Sequence, residues 1–222
     1  NTAVTQTCNN NFFIHILYKY LKENNTTVFI FIDLDDTILD FHKAEAVALK
    51  KTLLTFGIAP TDETVALYSS INDKMWKLLE KGEMTREQIL VKRFQLLFET
   101  LKVFADSKDA NETYKLNLSK GHWFIDGAKE LLTNLYKKHD LYIVSNGTTS
   151  VQKGRIESAN IKKYFKDIFL SQDIGYNKPD IRFFQKCFNK IDGFNKEDAI
   201  ILGDSLSSDI SGGINAKIKT CW

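Results

Sequence analysis

Apolar positions fall into two kinds of run along the chain. Val28-Phe29-Ile30-Phe31-Ile32 is continuous, rich in β-formers and ends abruptly in acidic residues, the pattern of a central parallel strand buried on both faces. From Phe41 to about His122 the pattern turns helical. Ala46, Leu49, Leu53 and Leu54, then Val65, Leu67, Tyr68, Ile71, Met75 and Leu78, recur at spacings that line one side of a helix. Thr85 followed by Gln88 has the form of a capping box, opening a helix that carries Ile89, Leu90, Phe94, Leu97, Phe98 and Leu101. No strand-like run interrupts this block, which predicts about four helices.

Beyond it the two patterns alternate. Helices are expected at about 126–138, 150–159 and 181–191, and strands at 141–144, 168–170, 199–202 and 218–221. Strands alternating with helices predict an α/β fold, a doubly wound, Rossmann-like parallel sheet with right-handed crossovers. The sheet core is expected at 28–40 and 123–222, with 41–122 as an all-helical insertion. Residues 1–27 are polar and Asn-rich around Phe12 to Leu21, where Phe13, Ile16, Leu17, Tyr20 and Leu21 have helical spacing, so a leader that is partly helical is expected.

Composition narrows the classes. At 222 residues with 43% apolar, 26% charged and 12% aromatic positions, the chain can bury a proper core and does not read as disordered. A net charge of +2, spread along the chain, leaves no basic footprint for nucleic acid or an acidic membrane. No apolar stretch approaches the roughly 20 residues that cross a bilayer, and no secretory signal is recognisable. Cys8, Cys187 and Cys221 are odd in number, without a CxxC pair or a His cluster, which supports neither a disulfide framework nor a zinc site and fits a reducing, cytoplasmic setting.

The candidate chemistry sits where strands end. Asp33-Leu34-Asp35-Asp36-Thr37 follows the first strand. Residues two apart on an extended backbone face one side, so Asp33 and Asp35 would converge on the crevice where open α/β sheets bind ligands. An acidic turn capping the next helix is the plain alternative. Paired carboxylates repel unless a cation lies between them, and an all-oxygen set suits magnesium better than zinc. Ser145-Asn146-Gly147-Thr148 follows the strand at 141–144 and can cradle an anion, although such residues also form ordinary turns. Lys178 precedes Pro179 just before a helix, and Gly203-Asp204-Ser205-Leu206-Ser207-Ser208-Asp209 follows the strand at 199–202. In chain order this is a carboxylate pair, a small hydroxyl, a lysine and a second carboxylate pair, the charges needed to bind a metal phosphate at one sheet edge.

Through Asp33 to Thr37, Ser145-Asn146-Gly147, Lys178-Pro179 and Gly203 to Asp209, the chain resembles the haloacid dehalogenase superfamily over roughly residues 28 to 222. The resemblance implies a nucleophile at Asp33 and a general acid and base at Asp35. It implies that Ser145, with Asn146 in the same turn, and Lys178 hold the phosphoryl group. It further implies magnesium on Asp33, the main-chain oxygen of Asp35 and Asp204, with Asp209 in support. A carboxylate at Asp35 is similar to the phosphatase branches of the superfamily and implies phosphate esters as substrates.

The run Asp33 to Phe41, the phrase Gly203 to Gly213, Asn215-Ala216 and Thr220-Cys221-Trp222 resemble pyrimidine 5′-nucleotidases. That implies nucleoside monophosphates such as UMP, dUMP and dTMP as small-molecule partners, a monomer or homodimer, and a cap at 41–122. Relative to that family the chain has a longer leader and stops on its last strand. Phosphomutase or sugar-phosphate phosphatase chemistry, and a noncatalytic phosphate-binding domain, are the competing readings. Among the insertion's aromatic residues, Phe41, His42, Trp76 and Phe94 are expected to be core rather than ligand.

Overall fold

The computed structural model describes residues 28–222, so the helix expected near Phe13 to Leu21 lies outside the described residues. By contacts the chain forms two compact units. One holds residues up to Asp40, Trp123–Gln152 and Asn160–Trp222, and the other holds Phe41–His122 and Lys153–Ala159.

The second unit contains α1 (Phe41–Thr55), α2 (Asp62–Glu80), α3 (Arg86–Leu101) and α4 (Ser107–Leu118). The Thr85–Gln88 capping box is present in both directions at the start of α3. One polar residue from each helix joins a buried chain. Arg93 donates to Asn72 Oδ1 at 2.8 Å and to Asn111 Oδ1 at 2.9 Å, and Asn72 donates to Glu45 Oε1 at 2.8 Å. Tyr68, Phe94 and Tyr114 pack around the guanidinium. In a low-dielectric interior a polar chain of this kind is favourable only when its members find each other, so it fixes how the four helices register.

In the first unit β1 (Phe29–Ile32), β2 (Asp140–Ser145), β3 (Asp167–Leu170), β4 (Ala199–Leu202) and β5 (Lys219–Cys221) form one parallel sheet in the order β3-β2-β1-β4-β5. The other α-helices among the described residues are α5 (Ala128–Leu135), α6 (Thr149–Ser158), which belongs to this unit up to Gln152, α7 (Ser171–Ile174), α8 (Ile181–Phe188) and α9 (Ser211–Ala216). β1 is central, which is why its run is apolar on both faces. Phe31 packs with Tyr142, Phe169, Phe183, Phe184 and Phe188 on one side, while Ile30 and Ile32 point to the other and are equally buried. Segments 38–40 and 123–125, which lead into and out of the helical insertion, pair with each other through Asp40 N to Trp123 O and Ile125 N to Ile38 O.

Two elements depart from the sequence expectation. α7 is a single turn of four residues, too short to show a period. α9 carries Gly212-Gly213, poor helix formers, and was not expected as a helix. Its glycines are required by close packing: a Cβ at Gly213 would lie 2.5 Å from Thr220 Cγ2 and 2.6 Å from Ile201 Cγ2. Both methyls belong to β-branched side chains with little freedom to move aside. Gly213→Val should therefore lower stability by about 1–3 kcal/mol, read as a lower urea midpoint with unchanged slope; an unchanged midpoint would contradict this packing.

Candidate active site

Ile32 pairs with Ile143 of β2 and Leu202 of β4, so the next residue, Asp33, stands level with Val144 and Gly203. Its N–H continues the ladder to Leu202 O at 2.9 Å. This is the carboxyl end of the sheet at the point where the chain passes from the β2–β3 side to the β4–β5 side, the ordinary ligand position of such folds.

The Lys178 ammonium is buried there, its side chain 2% exposed. Its three N–H groups have three acceptors: Asp33 Oδ1 at 2.6 Å, Asp209 Oδ1 at 2.6 Å and Val144 O at 2.8 Å. Burial alone would lower its pKa, but the facing carboxylates Asp209 and Asp33 outweigh that and raise it, so the ammonium stays charged. The loop that carries it is held by side chains. Asn146 accepts from Lys178 N at 2.8 Å and donates to Lys178 O at 2.9 Å, and Asn215 donates to Pro179 O at 3.0 Å across a cis Lys178-Pro179 peptide. The Asn146 amide also donates to Ser208 Oγ at 3.2 Å. Asp209 also accepts from Ser205 N through Oδ2, and a Cβ at Gly203 would fall 2.3 Å from that oxygen. Glycine at 203 is what admits the carboxylate.

Asp35 forms an isolated parallel bridge with Leu39, and the chain turns directly after it. Asp36 has φ 52°, and Ile38 and Leu39 both donate to Leu34 O. Asp35 Oδ2 accepts from Gln152 Nε2 at 2.7 Å, and the same nitrogen lies 2.8 Å from Ser145 Oγ. Ser145 Oγ also accepts from Gly147 N at 3.0 Å. Asp35 and Ser145 are therefore brought together through Gln152, which the sequence reading did not single out.

Asp33, Asp204 and Asp209 each offer a carboxylate oxygen, all within 4.8 Å of one another. Burial pushes Asp33 well above the usual carboxylate range; Lys178 pulls it back, while Asp209, Asp35 and Asp204 raise it again. Asp204 is pushed up to about 6, first by burial and then by Asp209 and Asp36. One ammonium does not neutralise this many carboxylates, and the donor set is all oxygen, so the residues fit a hard divalent cation such as magnesium. The Asp35 carboxylate is outside that group. Asp204 is oriented by Thr37, whose hydroxyl lies 3.4 Å from Oδ1, and by Trp222, whose indole N–H donates to Asp204 O at 2.7 Å. Of the aromatic residues weighed in the helical unit, Phe94 is fully buried between Tyr68 and Tyr114.

Gln152, Asn215 and Trp222 are the additions that sequence reasoning missed. Nothing in the residue type of the last two announces a contact to the Lys178 loop or to Asp204. Removing the ammonium with Lys178→Met strands two buried carboxylates and should cost about 3–5 kcal/mol near neutral pH. A buried carboxyl with a raised pKa binds its proton in the folded state before the unfolded one does. The deficit should therefore shrink as pH falls towards about 4, the unfolded carboxylate value. Denaturant melts from pH 4 to 8 check this; a deficit independent of pH would contradict it.

The haloacid dehalogenase-like hydrolase family matches residues 30–222. The chain is 40% identical to YfnB of Bacillus subtilis, named as a HAD-hydrolase, over 91% of this chain and 85% of that one. It is 36% identical to the pyrimidine 5′-nucleotidase PynA of Streptococcus pneumoniae, over 87% and 82% of the two chains. With the pyrimidine 5′-nucleotidase YjjG of Escherichia coli the identity is 28%, over 87% and 84%. A crystal structure of YfnB bound to magnesium matches with a TM-score of 0.85 at 40% identity, covering 89% of this chain and 88% of that one. Among the described residues no helix is long and apolar enough to cross a membrane. A match running from β1 to the last strand, together with a relative of this identity over nine-tenths of the chain, makes the protein a hydrolase of the haloacid dehalogenase-like family.

Proposed function

We propose that the protein is a magnesium-dependent phosphatase that cleaves phosphate monoesters through an aspartyl-phosphate on Asp33, with pyrimidine nucleoside monophosphates as its preferred substrates. The observation that carries the reading is the Asp33 carboxylate, pinned by Lys178 at the end of the central strand beside an all-oxygen acidic group. The names of PynA and YjjG support the nucleotide class, and the magnesium in the YfnB crystal supports the metal.

In this reading Asp33 attacks phosphorus, an oxygen–phosphorus bond forms, and the ester oxygen departs with a proton from Asp35. Asp35 then takes a proton from the water that attacks the phosphorylated Asp33, the bond to Asp33 breaks and inorganic phosphate leaves. Ser145 donates its hydroxyl proton to a phosphoryl oxygen. Lys178 supplies positive charge beside the attacking carboxylate, against the negative charge that the phosphoryl group brings. Asp33, Asp204 and the main-chain oxygen of Asp35 are the groups that would hold magnesium, which when bound supplies further positive charge for the phosphoryl oxygens. Asp209 keeps Lys178 in place. The helical unit at 41–122 is the proposed cap.

The test is phosphate release from a panel of nucleoside and sugar monophosphates, with magnesium and with a chelator. Release should need magnesium, favour UMP, dUMP and dTMP, and fall at least about a thousandfold in Asp33→Asn, which keeps the shape but removes the attacking charge. Near-native turnover in that variant would reject the nucleophile, and a preference for sugar phosphates would reject the nucleotide assignment.

A further inference from the structure

Gln152 lies in the first turn of α6 with 1% of its surface exposed. That turn is fastened from outside, where Thr149 N donates to Gln172 Oε1 at 3.0 Å and Thr149 Oγ1 donates to Asp173 Oδ1 at 2.9 Å, and from within by Gln152 N donating to Thr148 O at 2.9 Å. The side chain then faces Asp35 and Ser145 at 2.7 and 2.8 Å. A carboxamide nitrogen carries two protons and no lone pair to offer. One proton therefore goes to Asp35 Oδ2 and the other to Ser145 Oγ.

This has a consequence for the serine. Ser145 Oγ already accepts the Gly147 N–H. A hydroxyl oxygen has two lone pairs, and with Gln152 both are used, so Ser145 can enter a further hydrogen bond only by donating its own proton. A negatively charged phosphoryl oxygen takes that proton well. Gly147 belongs to the same arrangement, because a Cβ there would lie 2.3 Å from Gln152 Nε2 and 2.5 Å from Cδ. Gln152 is itself 1% exposed, so solvent does not compete for its two donors.

We propose that Gln152 is a positioning residue for the phosphatase reaction: its carboxamide fixes one oxygen of the Asp35 carboxylate and commits Ser145 to donating its hydroxyl proton to the phosphoryl group. The proposal rests on the phosphatase reading and adds a residue to it. Proton delivery by Asp35 matters most when the departing oxygen is a poor leaving group, as in a nucleoside monophosphate. It matters little for p-nitrophenyl phosphate, whose phenolate leaves with little help. The Ser145 contact serves both esters.

The experiment compares kcat/KM for UMP and p-nitrophenyl phosphate in the full chain, in Gln152→Met, which keeps the volume without the donors, and in Gly147→Ala, which displaces the amide while leaving Gln152 intact. Thermal melts confirm that each variant is folded. Gln152→Met should lose about 10–100-fold on UMP, the usual cost of removing a group that orients a reacting one, and several-fold less on p-nitrophenyl phosphate; Gly147→Ala should follow the same pattern. Equal losses on the two esters, or no loss, in whichever variant is folded would overturn the role of Gln152 while the phosphatase reading stands. Failure of the unaltered chain to hydrolyse either ester would instead reject that reading, and the role of Gln152 with it.

Discussion

One buried ammonium ties the sheet edge together. Lys178 joins Asp33 after β1, Val144 at the end of β2 and Asp209 after β4, so three strand ends are referred to a single charge. A lysine taken out of water is stable only with its charge balanced and its protons placed, and both conditions are met here. The arrangement also explains features that look unrelated along the chain. Gly203 is small because Asp209 must pass it, and Asn146 and Asn215 hydrogen-bond the lysine loop with their side-chain amides.

That solution leaves a remainder. Two carboxylates flank one ammonium, and Asp204 and Asp35 add to the negative side; burial first, and then neighbouring carboxylates, push Asp33 and Asp204 upward. The same charges that tie the sheet edge together thus form an all-oxygen donor set that fits a divalent cation. Glycines recur as the means of close approach: Gly147 beside Gln152, Gly203 beside Asp209 and Gly213 beside Ile201 and Thr220. The helical unit uses a separate device, the buried chain Glu45–Asn72–Arg93–Asn111 with one member in each of its four helices, and so carries its own organisation.

The sheet was readable because its strands are short apolar runs cut off by acidic or small polar residues, as at Ile32-Asp33 and Val144-Ser145. The capping box at Thr85 was readable because it is local. What escaped were features that depend on contacts distant in sequence. Gln152 touches Asp35 from 117 residues away, and nothing in its helix distinguishes it from a solvated glutamine. The helix α9 escaped for the opposite reason, since its glycines argue against a helix locally and are explained only by what lies beside them. The left-handed Asp36 and the bonds to Leu34 O turn the chain only after Asp35, and no local pattern announces that the Asp35 carboxylate meets Gln152.

The central claim is that Asp33 becomes covalently phosphorylated during turnover. It is tested most directly by acid-quenching the enzyme while it turns over a phosphorus-labelled nucleoside monophosphate in magnesium, then mapping the label by peptide mass spectrometry. The account predicts a phosphoryl group on the peptide that contains Asp33, removed by hydroxylamine as an acyl phosphate and missing in Asp33→Asn. Steady phosphate release with no labelled peptide, or label on a different residue, would contradict it.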